Sequence, residues 1–203
     1  MQLLVTGFLP FGGQCINPSW EAVRALPEKI GACTILRAAL PVDWTEGPKQ
    51  LLALLEAYHP AQVLCCGQAG GRAKICLERV AINLCESTAP DTAGVVRWRE
   101  PIVQEGPAAY FSTLDDMQMM QALADAGIPA MRSYSAGAYL CNAVMYIALH
   151  AAQTRFPGLR AGFLHVPYLP EQGAVNMPAD QQRIAVEQCV RVMAHTHLQG
   201  VSV

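Results

Sequence analysis

The chain is 203 residues long, with 52% hydrophobic and 15% charged residues and a formal net charge of −2. That length suffices for one substantial core, so residues 1–203 are expected to form a single domain, and the small net charge leaves neither a basic stripe for nucleic acid nor a polybasic segment for anionic lipid. No run approaches the roughly 18 apolar residues that a membrane helix needs, MQLLVTGF lacks the basic opening of a secretory signal, and the apolar surplus predicts a homo-oligomer with part of its surface covered by another copy.

Along the chain, strand-like and helix-like patterns alternate. QLLVTGF (2–8) predicts a strand, and NPSWEAVRAL predicts a helix with Asn17 as N-cap and Pro18 at its first position. CTILRAALPV (33–42) predicts the next strand, after which Asp43 is placed to cap a helix ending before Pro60. QVLCCG (62–67) reads as a strand buried on both faces, and KICLERVAIN (74–83) as another, interrupted by Glu78 and Arg79. Residues 84–107, rich in proline, glycine and charge, read as irregular or as a hairpin arm. A helix over 115–127 closed by Gly127, a strand within IPAMRSYS, a buried helix over 141–153, a strand within LRAGFLHVPYLP and a last helix from about Asp180 complete the pattern. Such alternation predicts an α/β fold: a three-layer α/β/α sandwich around a mixed, largely parallel sheet.

Eight cysteines without a CxxC pair or a secretory signal predict free thiols in a reducing cytoplasm. Cys33, Cys65, Cys66 and Cys76 fall in strand-like runs and Cys189 on the apolar side of a helix, where a thiol packs as a small hydrophobe. Cys141 differs. It follows a strand and the linker SAGAYL at a helix start, where unpaired N–H groups and the helix dipole are expected to lower its pKa. His165 in FLHVP is placed at a strand end to act as base, with a hydrogen-bonded core histidine as the competing reading. Glu78 needs a partner if buried, either the adjacent Arg79 in a structural ion pair or an imidazole N–H; with the latter, acid, imidazole and thiol form a nucleophile, base and orienter set. His59 and His150 read as helix-closing residues, and His195 with His197 as a solvated helix end rather than a metal pair. The glycine-rich TGFLPFGG and GQAGG match no phosphate-binding motif and read as tight loops at a site rim.

TGFLPFGGQCINPSWEAVRALP, GQAGGRAKICLERVAINL, GPAAYFSTL, SAGAYLCN and GFLHVPYLP resemble, in order and spacing, the pyroglutamyl-peptidase I family. The resemblance implies a cytosolic cysteine peptidase that removes N-terminal 5-oxoproline from peptides through a thioester, with neither metal nor cofactor, and often as a tetramer. Carried over by motif, Cys141 is the nucleophile, His165 the base and Glu78 the acid. Phe8 and Phe11 are expected to sandwich the lactam ring, with an ordinary core role as the competing reading, and Asn17, Gln68, Tyr139 and Leu140 to lie around the same pocket. Ala89, before Pro-Asp, stands where a larger aliphatic is usual, and Ala143 where a polar residue is common. Two other functions fit the same architecture: a nucleoside phosphorylase-like transferase, whose anion site would have to be GGR at 70–72, and a binding protein with a misaligned triad.

Overall fold

In a computed structural model, which describes residues 1–199 and the side chains of residues 1–195, the alternation becomes a mixed seven-stranded sheet between two helical layers. Its centre is a parallel block of β1 (Gln2–Phe8), β3 (Cys33–Leu40), β4 (Gln62–Gln68) and β11 (Arg160–Val166). Beyond β11, β5 (Ile75–Glu78) runs antiparallel and carries β10 (Ala130–Ser133) parallel to itself, while β2 (Lys29–Ile30) closes the opposite edge antiparallel to β3. The order is β10-β5-β11-β4-β1-β3-β2.

Strand side chains alternate between faces, and here both faces are dry, which is why the central strands read as unbroken apolar runs. Leu3, Val5, Leu64, Cys66, Leu164 and Val166 pack under α1 (Pro18–Arg24), α3 (Asp116–Asp125) and α5 (Ala179–Gln199). Leu4, Phe8, Val63, Cys65, Ala161 and Phe163 pack under α2 (Glu46–Tyr58) and α4 (Leu140–Thr154). The second face carries the candidate thiol, Cys141.

Local signals act largely as expected. The Asn17 side chain accepts from the Ser19 N–H at 3.1 Å with Pro18 opening α1, and Gly127 takes up a left-handed φ of 68° after α3. Asp43 supports α2 from outside: its Oδ1 accepts from the N–H groups of Thr45 and Glu46, both at 2.7 Å, and Thr45 occupies the cap position itself. Residues 84–107 do contain a hairpin arm, β7 (Cys85–Glu86) against β8 (Trp98–Glu100).

Two expectations are corrected. The run 74–83 is not one strand: it leaves the main sheet at Arg79, and β6 (Val80–Ile82) pairs instead with β9 (Ala109–Phe111) in a separate ribbon. The change of partner falls within Arg79: its N–H still donates to the β10 carbonyl of Ser133 at 2.7 Å, whereas its own carbonyl accepts from the Ser112 N–H beyond β9 at 2.9 Å, and its side chain is bound by Asp116. His150 does not close α4; it lies a turn before the end and hydrogen-bonds the Tyr110 hydroxyl through Nδ1 at 2.9 Å.

Candidate active site

Register alone lines up the candidate groups. His165 on β11 is the partner of Gly67 on β4, and Phe163, two residues earlier on the same face, is the partner of Glu78 on β5. Neighbouring strands stand about 4.8 Å apart, so the imidazole is level with the bare Cα of Gly67 and Glu78 reaches it diagonally, from opposite Phe163, on the face that α4 covers. Gly67 is needed there. A Cβ at this position would stand 2.7 Å from the Cys141 Sγ and 2.8 Å from the Phe163 ring, so the thiol rests over this residue of β4 only because no side chain intervenes.

Cys141 is the second residue of α4, after Tyr139 in the cap position with no capping side chain. The N–H groups of residues 140–142 precede the first intrahelical bond, from the Ala143 N–H to the Tyr139 carbonyl at 3.1 Å. Asn142, wholly buried, clamps this turn to β6, donating to the carbonyls of Ile82 and Leu84 at 2.9 and 3.1 Å and accepting from the Ile82 N–H at 2.9 Å.

The acid and imidazole are directly joined: His165 Nδ1–H donates to Glu78 Oε1 at 2.7 Å, with both side chains buried. The adjacent Arg79 is not the partner, since it is turned to Asp116. Instead Arg72 donates to the same Oε1 at 2.7 Å. This also removes the one cation of the GGR segment as an anion site. Burial works against the Glu78 anion, but His165, Ser133 and Arg72 outweigh it and hold the carboxyl below its ordinary value. Burial likewise pushes His165 below its ordinary 6.5 despite Glu78, leaving a neutral imidazole at pH 7. For Cys141 the expectation of a lowered pKa is overturned: burial and then the Glu78 charge push the thiol up to about 12, against the smaller help of Arg72 and its own N–H. A helix end contributes about 0.3–1 kcal/mol at exposed sites, less than desolvation takes from a packed thiolate.

Beside the thiol lies a cavity of about 60 Å³ lined by Phe8, Phe11, Asn17, Val42, Gln68, Tyr139, Leu140 and Cys141. All six expected pocket residues are therefore in one place, joined by Val42. Gln68 presents a buried Oε1 with no hydrogen-bond partner. Asn17 is committed to structure, with Oδ1 on Ser19 and Nδ2 donating to the Leu9 carbonyl at 3.1 Å, so it shapes the loop that carries Phe11. One wall is held by the arm: Asp91 accepts from the N–H groups of Trp44, Ala93 and Val95 at 2.9, 2.9 and 2.8 Å, and the Tyr139 hydroxyl donates to the Pro90 carbonyl at 3.0 Å. A larger cavity of about 490 Å³, lined by His59, Arg155 and Phe156 among others, opens where β4 and β11 begin, at the far edge from the thiol.

A family model described as pyroglutamyl peptidase matches residues 1–198. The chain belongs to the pyroglutamyl peptidase family. A pyrrolidone-carboxylate peptidase of Enterococcus faecalis is 39% identical over 98% of this chain and 98% of its own length, and one of Yersinia pestis 43% identical over 94% and 92%. Among solved structures, pyroglutamyl peptidase I of Bacillus amyloliquefaciens superposes with a TM-score of 0.92 at 37% identity, covering 96% of this chain and 97% of that one. A mutant pyrrolidone carboxyl peptidase of Pyrococcus furiosus gives 0.93 at 39% identity, covering 97% and 99%.

Against the pyroglutamyl peptidase pattern, the two departures fall away from the cavity lining. Ala89 is exposed, and Ala143 is buried in the α4 core. The remaining cysteines are free, all buried except Cys15. His195 is exposed on α5 with Nδ1 near the Arg191 carbonyl at 2.6 Å, whereas the side chain of His197 lies outside the described residues. Among the described residues, no cluster of His, Cys, Asp or Glu is arranged to hold a metal, and no helix is long and apolar enough to cross a membrane. Gly67 and Val42 are not singled out by the sequence, Arg72 enters there only within the GGR anion-site reading and Asp91 only within the Pro-Asp of the arm. The signals were faint: a glycine and a valine closing apolar runs, a lone cation after GQAGG, and an acid in a loop.

Proposed function

We propose that this chain is a cysteine peptidase that cleaves N-terminal pyroglutamate from peptides, with Cys141 as nucleophile, His165 as base and acid, and Glu78 as the group that orients the imidazole. The observation that carries the proposal is the cavity beside Cys141 that gathers Phe8, Phe11, Gln68, Tyr139 and Leu140. A pyroglutamyl head is a neutral, flat lactam, and the lining matches its needs: apolar walls, the unpartnered Gln68 Oε1 as acceptor for the ring N–H, and no carboxylate for an ammonium.

In the reaction, the Cys141 thiol gives its proton to His165 Nε2 as sulfur adds to the pyroglutamyl carbonyl. Nδ1–H remains on Glu78, which stabilises the imidazolium that forms. The unpaired N–H groups at the start of α4 face the developing oxyanion, each worth about 3 kcal/mol in comparable sites. His165 then protonates the departing amine, the C–N bond breaks and a thioester remains. Water, losing a proton to His165, adds to that thioester, and pyroglutamic acid leaves as the proton returns to sulfur.

The free thiols support a cytoplasmic setting. The exposed side chains of Phe111, Met117, Met131 and Tyr134 support association of copies of the chain, as a tetramer in this reading. Incubation with pyroglutamyl-aminomethylcoumarin is expected to release the fluorophore, and stoichiometric alkylation by iodoacetamide to stop it. No release from the untreated protein, or undiminished release after alkylation mapped to Cys141, would sink the proposal.

Gly67→Ala supplies a finer test. The added methyl displaces Sγ and the Phe163 ring from positions 2.7 and 2.8 Å away. A shift approaching 1 Å costs about 10²-fold, so kcat/KM is expected to fall by that order while the circular-dichroism spectrum is kept. An unchanged rate would mean that the thiol does not need the space above Gly67.

A further inference from the structure

We propose that Arg72 is a positioning residue of this site, which aims Glu78 at His165 and supplies the fixed charge that lets the acid stay ionised while the imidazole stays neutral. The inference rests on the catalytic reading of Cys141, His165 and Glu78. Its starting point is an imbalance. The Glu78 side chain is 0% exposed, and a carboxylate so enclosed needs a counter-charge. If His165 were that counter-charge it would be an imidazolium, with no lone pair to take a proton from sulfur.

Arg72 resolves the conflict because its guanidinium is always charged. Nη1 and His165 Nδ1 converge on the same oxygen, Oε1, each at 2.7 Å, while Oε2 has no partner. One oxygen thus carries both contacts, and its direction is set by two donors rather than one. The groups facing Glu78 are His165 from β11, Ser133 from β10, Cys141 from α4, and Arg72, with Cys76 on its own strand beside the guanidinium. Arg72 is the only permanent cation among them.

The same side chain spans the site. Arg72 follows Gln68 of the cavity by four residues, and its Nη2 donates to the Ser135 carbonyl at 3.1 Å, at the start of the SAGAYL linker that delivers Cys141. Acid, nucleophile linker and pocket loop therefore share one tie. At 33% exposed, the guanidinium is also within reach of added solutes.

The test compares Arg72→Gln and Arg72→Lys with the unmodified enzyme on pyroglutamyl-aminomethylcoumarin across pH. Arg72→Gln is expected to lower kcat about 30-fold with KM changed less than about 2-fold, the scale of one lost charge-assisted hydrogen bond. Its acid limb in kcat/KM moves to higher pH, because the imidazolium becomes the counter-charge of Glu78 once the fixed cation is gone. Arg72→Lys is expected to return the limb to its place, and guanidinium at millimolar concentration to restore part of the Arg72→Gln rate. An acid limb that stays put or moves down in Arg72→Gln, or a loss that neither lysine nor guanidinium recovers, would overturn the proposal. Failure of the catalytic reading looks different: Cys141→Ser or Glu78→Gln would then keep normal turnover.

Discussion

Cys141→Ser is expected to lower kcat/KM for pyroglutamyl-aminomethylcoumarin by about 10⁴-fold, with KM nearly unchanged, because the cavity walls remain while the bond-forming atom changes. Serine is poorly suited to this seat. Its hydroxyl is much harder to ionise than a thiol, and the shorter C–O bond draws the nucleophile back from the Gly67 strand against which sulfur packs. The raised thiol pKa adds a second, pH-based signature. With the thiol pushed up to about 12 and His165 held neutral, little thiolate exists at pH 7 in the free enzyme, so alkylation of Cys141 by iodoacetamide should accelerate steadily with rising pH through the neutral range. A rate that is flat from pH 5 to pH 9 would mean instead that a thiolate–imidazolium pair is already formed. A serine variant that retains a tenth of the activity would remove Cys141 from the mechanism.

Glu78→Gln should be nearly as damaging, with kcat/KM down about 10³-fold. The carboxylate accepts from Nδ1 and leaves Nε2 free to act as base, whereas a glutamine amide can turn its NH₂ toward Nδ1 and favour the wrong tautomer. The substitution also withdraws the negative charge that stabilises the imidazolium intermediate and leaves Arg72 without its anion. Steady-state kinetics would resolve this as a fall in kcat rather than a rise in KM. Activity within tenfold of the unmodified enzyme would show that the imidazole needs no orienting anion.

Much of this site was legible before any coordinates. The α/β/α layering followed from runs such as QVLCCG and the nearly all-apolar helix from Cys141, since burial on both faces of a sheet, or all round a helix, writes itself into composition. Cys141, His165 and Glu78 were each conspicuous against their surroundings: a thiol at a helix start, an imidazole at a strand end, an acid inside an apolar run. The short strands β2 and β9 were not legible, because two or three residues carry no measurable period and take their pairing from neighbours distant in the chain.

The sequence by itself thus determined the layers, the element order and the three candidate groups, all of which depend on local pattern and on burial averaged along an element. Only the tertiary structure decided how those groups are charged and paired. Arg79 adjoins Glu78 in the chain yet belongs to another ion pair, because consecutive residues leaving a strand point to opposite faces; Arg72 reaches the acid by a loop that folds back across the strand ends. The helix start predicts a lowered pKa for Cys141, but desolvation depends on what packs against the thiol in three dimensions, and here burial over the Gly67 strand and the Glu78 charge outweigh the helix end.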